Sequence, residues 1–220
     1  AYFTNTIGTQ HMVELAKAKD IPIVYISTGG VFDGKKEYYI EGDIPNPLNH
    51  YSRSKYYGEL VAAQYKKHFI VRAGWMMGGG PEKDKKFVNK MFSLIQAGVK
   101  EIHAVSDVKG SPTYTRDLAA WVKLYFCDWV HYLYGTCNVC NTGSASRYDV
   151  VKAFVEYLEV KDINIIPEKT HEFHARSPMA CLYTQTEALK MTLLPELRTW
   201  QEALKDYTER DFAPCYHKNS

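Results

Sequence analysis

Long hydrophobic runs are missing from this sequence. No stretch of its 220 residues approaches the roughly 18 apolar residues that a bilayer-spanning helix requires. The opening, AYFTNTIGTQ, lacks the charged-then-apolar pattern of a secretory leader. A basic excess is missing too. Lys plus Arg number 27 against 25 Asp plus Glu, which leaves no electrostatic footprint for a nucleic acid. Cysteine is scarce: five residues, at 127, 137, 140, 181 and 215, do not make a disulfide framework in a chain this long. Cys137 and Cys140 have no second pair to complete four metal ligands, and in a strand residues three apart point to opposite faces. Both read as structural. His11, His68, His103, His171 and His174 show no ligand spacing, so no metal site is expected. Repeats and low-complexity segments are absent. These exclusions leave a soluble, cytoplasmic protein with no membrane or nucleic-acid partner as the expectation. An initiator Met is also missing, and helical spacing (Ile7, Met12, Leu15, Ala16) begins almost at once. The chain therefore reads as starting inside a helix, with a natural N-terminal part absent.

What is present is an alternation of strands and helices. Hydrophobic residues make up 45% of the chain, enough for one large domain or two small ones. The pattern predicts a helix over 5–18, a strand over 22–27, a helix over 51–66 and a strand over 68–75. Beyond the glycine loop GGGPEKDKK it predicts a helix over 87–97, a strand at EIHAV, and a helix starting at Thr115 with Asp117 in its first turn. A strand at GTCNVCN, a helix at SRYDVVKAFVEYL, a strand at INIIPE and a last helix over PELRTWQEALKDYTER complete the reading. The fold class is α/β: an incomplete parallel sheet flanked by helices, with a smaller C-terminal α/β lobe and an expected division between 1–78 and 79–220. The aromatic run WVKLYFCDWVHYLYG carries too many charges for a membrane and reads as packing or interface. The loop EKDKK reads as solvated.

Chemistry gathers around IVYISTGGVFDG. An apolar strand ends in Ser27-Thr28-Gly29-Gly30, and in a parallel α/β sheet ligands bind at the carboxyl ends of strands. Tyr51 and Lys55 are four residues apart, so a helix stacks them on one face. A free Tyr has a pKa of about 10, and bringing it to about 7 takes roughly 4 kcal/mol. One Lys charge about 4 Å away, at an effective dielectric near 20, supplies about that much. A hydroxyl, a phenol and an ammonium at one rim would hold a carbonyl oxygen and pass it a proton. The glycines would keep that rim open for a ligand.

These residues resemble the extended short-chain dehydrogenase/reductases. YSRSK (51–55) is similar to the family's Tyr-x-x-x-Lys, and NTIGT (5–9) to its Asn-x-x-Gly-Thr helix. Within the family the likeness is to the dTDP-4-dehydrorhamnose reductases: STGGVFDG, EGDIPNPLNHYSRSKYYGE, VRAGWMMG, KGSPTYTRDLA, ARSP and LRTWQEAL resemble segments in that branch's own order. The resemblance implies that the sheet is an incomplete Rossmann-type sheet, with 1–78 the C-terminal portion of a dinucleotide-binding domain and 79–220 mainly a substrate-binding lobe. It implies reduction of the C4 keto group of a dTDP-4-dehydro-6-deoxyhexose by NADPH or NADH. It implies Tyr51 as general acid, Lys55 on the nicotinamide ribose, and Thr28 on the reacting oxygen. Trp75 would pack on the sugar, and the Ala73-Gly74 backbone would pass by the nicotinamide. Arg176 reads equally as a substrate-phosphate contact or a structural ion pair. Asn5 reads equally as a tying or a catalytic residue.

Two departures stand out. The family's Asp-Tyr after the Thr is here Gly29-Gly30, and no Gly-x-x-Gly-x-x-Gly turn for a pyrophosphate follows any strand. A nucleotide-sugar C4 epimerase and a non-catalytic regulatory subunit on the same fold are the alternatives. A homodimer is compatible with each reading.

Overall fold

The computed structural model describes residues 1–126, 134–176 (at Arg176 the backbone only), 187–193 and 195–216. A widened helical turn at Phe3–Ile7 runs into α1 (Gly8–Lys19), which Asp20 ends in a left-handed conformation. Then come β1 (Ile23–Thr28), α2 (His50–Ala62), β2 (His68–Ala73) and β3 (Trp75–Met77). The strand expected over 68–75 is thus broken at Gly74. A Cβ there would lie 2.0 Å from the Ser111 carbonyl oxygen, so the chain bends where two backbones meet.

The rest of the chain builds α3 (Gly80–Lys83), α4 (Phe87–Gln96), β4 (Glu101–Val105), β5 (Lys109–Gly110), β6 (Pro112–Tyr114) and α5 (Thr115–Phe126). After it come β7 (Gly135–Val139), β8 (Asn141–Thr142), β9 (Ala145–Ser146), α6 (Arg147–Tyr157), β10 (Asn164–Glu168) and α7 (Thr170–Arg176). The described chain closes with β11 (Leu197–Thr199), α8 (Trp200–Tyr207) and α9 (Ala213–Tyr216). The last helix was expected to begin near Pro195. It begins instead at Trp200, where Thr199 and Glu202 form a reciprocal cap, and the residues before it pair as β11 with β8.

The main sheet has the order β1-β2-β7, all parallel. Its third strand comes from beyond residue 78, so a division at 78 does not follow the sheet: Gly135–Val139, expected in the second lobe, completes the first. Alternation sends Val24, Ile26, Phe69, Val71, Ala73, Cys137 and Val139 into a core with Phe32, Leu118, Trp121 and Phe126. Tyr25 and Ile70 point to the other face and pack with Ala62 of α2. Both faces are covered, as a parallel sheet requires. A second core, around Phe92, Val151, Phe154, Leu204 and Phe212, sits under α4, α6 and α8 and backs the parallel pair β4–β10.

Cys137 and Cys140 are buried, and burial pushes both thiols up to about 12. They are inert packing groups. Among the described residues no cluster of potential metal ligands occurs, and no helix is long and apolar enough to cross a membrane.

Candidate active site

Parallel pairing brings Thr28, Ala73 and Val139 side by side at the carboxyl edge of the sheet. Helix α2 starts beside this edge because the Asn49 side chain accepts from the Ser52 N–H at 2.8 Å, which fixes Tyr51 in the first turn. One turn later Lys55 donates from Nζ to the Ile26 carbonyl of β1 at 2.6 Å and lies 4.2 Å over the Tyr25 ring. That reach depends on Gly58. A Cβ there would stand 2.2 Å from the Tyr25 hydroxyl and 2.4 Å from the Asn5 carbonyl, so glycine lets the helix lie directly on the strand. The Tyr25 hydroxyl donates to the Lys55 carbonyl at 3.1 Å and to the Asn5 carbonyl at 3.3 Å. Asn5 Nδ2 donates to Ser54 Oγ at 2.9 Å, which ties the N-terminal turn to α2.

Below this, Arg72 makes a bidentate pair with Glu59, its Nη2 2.8 Å and its Nε 3.0 Å from the carboxylate oxygens. Ser27 Oγ donates to the same carboxylate at 2.5 Å. Three elements are clamped together there, and all three residues are buried.

The electrostatics differ from the expectation that Lys55 lowers the Tyr51 phenol. Burial first, and the Glu187 carboxyl second, hold Tyr51 above its ordinary value. Burial also lowers Lys55, against the pull of Glu59. The ammonium is engaged by the Ile26 carbonyl and the Tyr25 ring.

Thr28 is half-buried, and its Oγ1 accepts from the Gly30 N–H at 3.2 Å. The space beside the two glycines is not open, as the sequence suggested. A Cβ on Gly29 would stand 3.0 Å from the Glu187 carbonyl, and one on Gly30 would stand 3.0 Å from Glu187 Oε1 and 2.9 Å from Ser52 Oγ. The glycines admit the segment around Glu187. Sequence reasoning missed this residue: TQTEALK carries no motif, and only the tertiary fold delivers it to the rim. Ser52 was hidden inside YSRSK as an ordinary helix residue.

Trp75 donates from Nε1 to Glu187 Oε2 at 3.1 Å, and the Arg147 guanidinium stacks 3.7 Å from its ring. With Phe87 and Val150 these two residues line a cleft next to the rim. Ala73 is fully enclosed, and the glycine at 74 is demanded by the Ser111 backbone. The backbone of Arg176 ends α7; its side chain lies outside the described residues.

Comparison with known proteins places this geometry in a lineage. The model of the RmlD substrate binding domain matches residues 1–212. The chain belongs to that family. It is 31% identical over 218 residues to the spore coat polysaccharide biosynthesis protein SpsK of Bacillus subtilis, covering 98% of this chain and 74% of that protein. It is 32% identical over 212 residues to the dTDP-4-dehydrorhamnose reductase of Mycolicibacterium smegmatis, covering 94% of this chain and 63%, less than two thirds, of that enzyme. Among solved structures, a Bacillus anthracis dTDP-4-dehydrorhamnose reductase in complex with NADP superposes with a TM-score of 0.84 at 32% identity, over 94% of this chain and 72% of that one. A Bacillus anthracis dTDP-glucose 4,6-dehydratase, at 20% identity and a TM-score of 0.73, shares the Rossmann-type fold.

Proposed function

We propose that this RmlD-family chain carries the chemical end of an NAD(P)H-dependent reductase acting on the C4 keto group of a dTDP-4-dehydro-6-deoxyhexose. The observation that carries the reading is the seating of Lys55: its ammonium reaches the carboxyl end of β1 at Ile26, one helical turn from Tyr51 and two residues before Thr28. A half-buried cation, a phenol and a hydroxyl at one strand edge are the donor set that a nicotinamide ribose and a ketone require. The named activity and the NADP of the relatives support the same reading.

In this account Thr28 and Tyr51 hold the ketone oxygen by hydrogen bonds, and the Tyr51 phenol delivers the proton to that oxygen. Lys55 exchanges its bond to the Ile26 carbonyl for the ribose hydroxyls, bringing its charge toward Tyr51. The Ala73-Gly74 backbone borders the nicotinamide, and Trp75, whose ring is covered by Arg147 and by the Gly110 backbone, meets the sugar at its edge. When bound, the nicotinamide cofactor supplies the hydride. A glycine-rich pyrophosphate turn is not among these 220 residues, so the chain's own contribution is confined to the nicotinamide end. Residues 1–78 contribute most of the catalytic edge and 79–220 most of the sugar pocket, in the cytoplasm; pairing of two chains is compatible with this arrangement.

The test is stoichiometry. Protein expressed from the complete reading frame should oxidise one NAD(P)H for each dTDP-4-keto sugar added and none without it. Interconversion of sugars with no net cofactor loss would instead indicate a C4 epimerase. Sugar and cofactor both left unchanged would indicate a binding subunit.

A further inference from the structure

The run EKDKK is solvated only in part. Its Asp84 is 3% exposed. The Asp84 N–H donates to the Gly80 carbonyl at 2.9 Å. One carboxylate oxygen accepts from the Tyr207 hydroxyl at 3.0 Å and the other from the Lys86 N–H at 2.8 Å. A buried acid thus pins a basic loop, and it sets Lys86, the residue before α4, in the wall of a cleft of about 170 Å³.

The apolar lining of that cleft includes Trp75, Phe87 and Val150, and its charged lining is Asp84, Lys86 and Arg147. The Arg147 guanidinium lies 3.7 Å from the centre of the Trp75 ring and 4.6 Å from that of Phe87. Stacking engages the faces of a guanidinium and fixes its plane, while its five N–H donors lie in that plane. An aliphatic side chain would fill the space between two rings at a smaller desolvation cost. What a guanidinium adds is a planar fork of donors, the geometry that suits phosphate oxygens. Asp84 is the single acid in the lining, and both of its oxygens are engaged. Glu187, bonded to the Trp75 indole, is another acid that Arg147 acts on.

Volume narrows the ligand. About 170 Å³ is the share of five or six water molecules, at about 30 Å³ each. It falls short of the roughly 300–1,000 Å³ of a site that encloses a whole drug-sized ligand. The cleft suits one compact anionic group and not an entire nucleotide.

We propose that Arg147 and Lys86 hold the diphosphate of the nucleotide-sugar in this cleft, Arg147 through in-plane N–H donors to phosphate oxygens and Lys86 as a point charge. This rests on the reductase reading and deepens it, because it names the group by which the substrate is gripped. Trp75 is common to the cleft and, through Glu187, to the rim, so the sugar end reaches the rim while the diphosphate stays in the cleft. Neither Arg147 nor Lys86 lies in a segment that carries the family likeness.

The experiment uses protein from the complete reading frame. It measures dTDP binding by calorimetry at low and at raised salt, and the KM values of the keto-sugar nucleotide and of NAD(P)H. Arg147→Met, which keeps a side chain able to pack on the rings, should weaken dTDP by at least about tenfold, the worth of a charge-assisted hydrogen bond. It should raise the sugar-nucleotide KM similarly and leave the cofactor KM unchanged. Arg147→Lys, with the charge but without the fork, should recover only part of the loss. Lys86→Met alters an exposed residue and should weaken dTDP by about two- to fivefold; it keeps the test decisive if Arg147→Met does not fold. Salt should weaken dTDP binding to the unaltered protein more than to either Met variant. Unchanged dTDP affinity in both Met variants, or no dTDP binding by the unaltered protein, would overturn the site. So would a loss of affinity with the salt dependence intact, which marks a structural role, or a rise confined to the cofactor KM, which assigns the anion to the cofactor's own phosphates. Turnover by the unaltered protein would leave the reductase reading standing in each of these cases. Absence of turnover with Arg147-dependent dTDP binding would overturn that reading and not the site.

Discussion

A carboxyl group that is only 5% exposed surrenders most of its hydration when it ionises. Glu187 is held near 7, against an ordinary 4.5, by burial and despite the Trp75 hydrogen bond and the Arg147 charge. The sign follows directly. Between these two values the folded state binds a proton that the unfolded state has released, so stability falls as pH rises across that window and levels off above it. The drop amounts to roughly 3 kcal/mol, at about 1.4 kcal/mol per pH unit. Glu187→Gln, which keeps an acceptor for Trp75, should remove it. Urea unfolding at pH 5 and pH 8 should show the unaltered protein losing stability relative to Glu187→Gln, and parallel pH dependences would contradict this. At this scale the sequence was legible where chemistry follows a local repeat. Tyr51 and Lys55 stand out because a helix puts residues four apart on one face, and Thr28 because a β-branched run stops there. Glu187 could not be read in the same way, because its partners Trp75, Gly30 and Arg147 are remote in sequence and only tertiary contact joins them.

Helix α2 is the element on which the site depends, and its seating has two causes. Gly58 permits close approach to β1, and the buried Arg72–Glu59 pair fixes the helix to β1 and β2 through a contact of 2.8 Å. Removing one member of such a pair strands the other charge. Arg72→Met should therefore cost about 3–5 kcal/mol, and the double variant Arg72→Met with Glu59→Leu should recover most of the loss. Equilibrium unfolding of the three proteins decides it; a single variant within about 1 kcal/mol of the parent would show that the pair does not hold the helix. The helix itself was visible in the sequence, though its expected end at 66 overran the observed Ala62. The final helix was misjudged at its start because Pro195-Glu-Leu reads as a helical first turn until β8 offers Leu197 a strand partner. The Thr199–Glu202 cap was the available signal.

Across the whole molecule, alternation of strand and helix was enough to indicate a parallel α/β fold, because the two periods differ along the chain. The partner of each strand was not legible. Strand β7 leaves the second half of the chain to flank β2, and the short segment GTCNV that makes it does not reveal which sheet it joins. That return puts the Gly135–Val139 strand into the main sheet and its Cys137 and Val139 into the first core, so a sheet that sequence order divides is shared. The edge proposed for catalysis, with Thr28 and Ala73 in register and Lys55 reaching Ile26, is the product of this assembly. The central claim is that Tyr51 is the proton donor at that edge. Its most direct test is turnover of a dTDP-4-keto sugar by protein from the complete reading frame, with and without Tyr51→Phe, at matched folded fraction and saturating cofactor. The account predicts at least about a hundredfold fall in kcat, the low end of general-acid contributions; a Tyr51→Phe protein that reduces the sugar at the parent rate would contradict it.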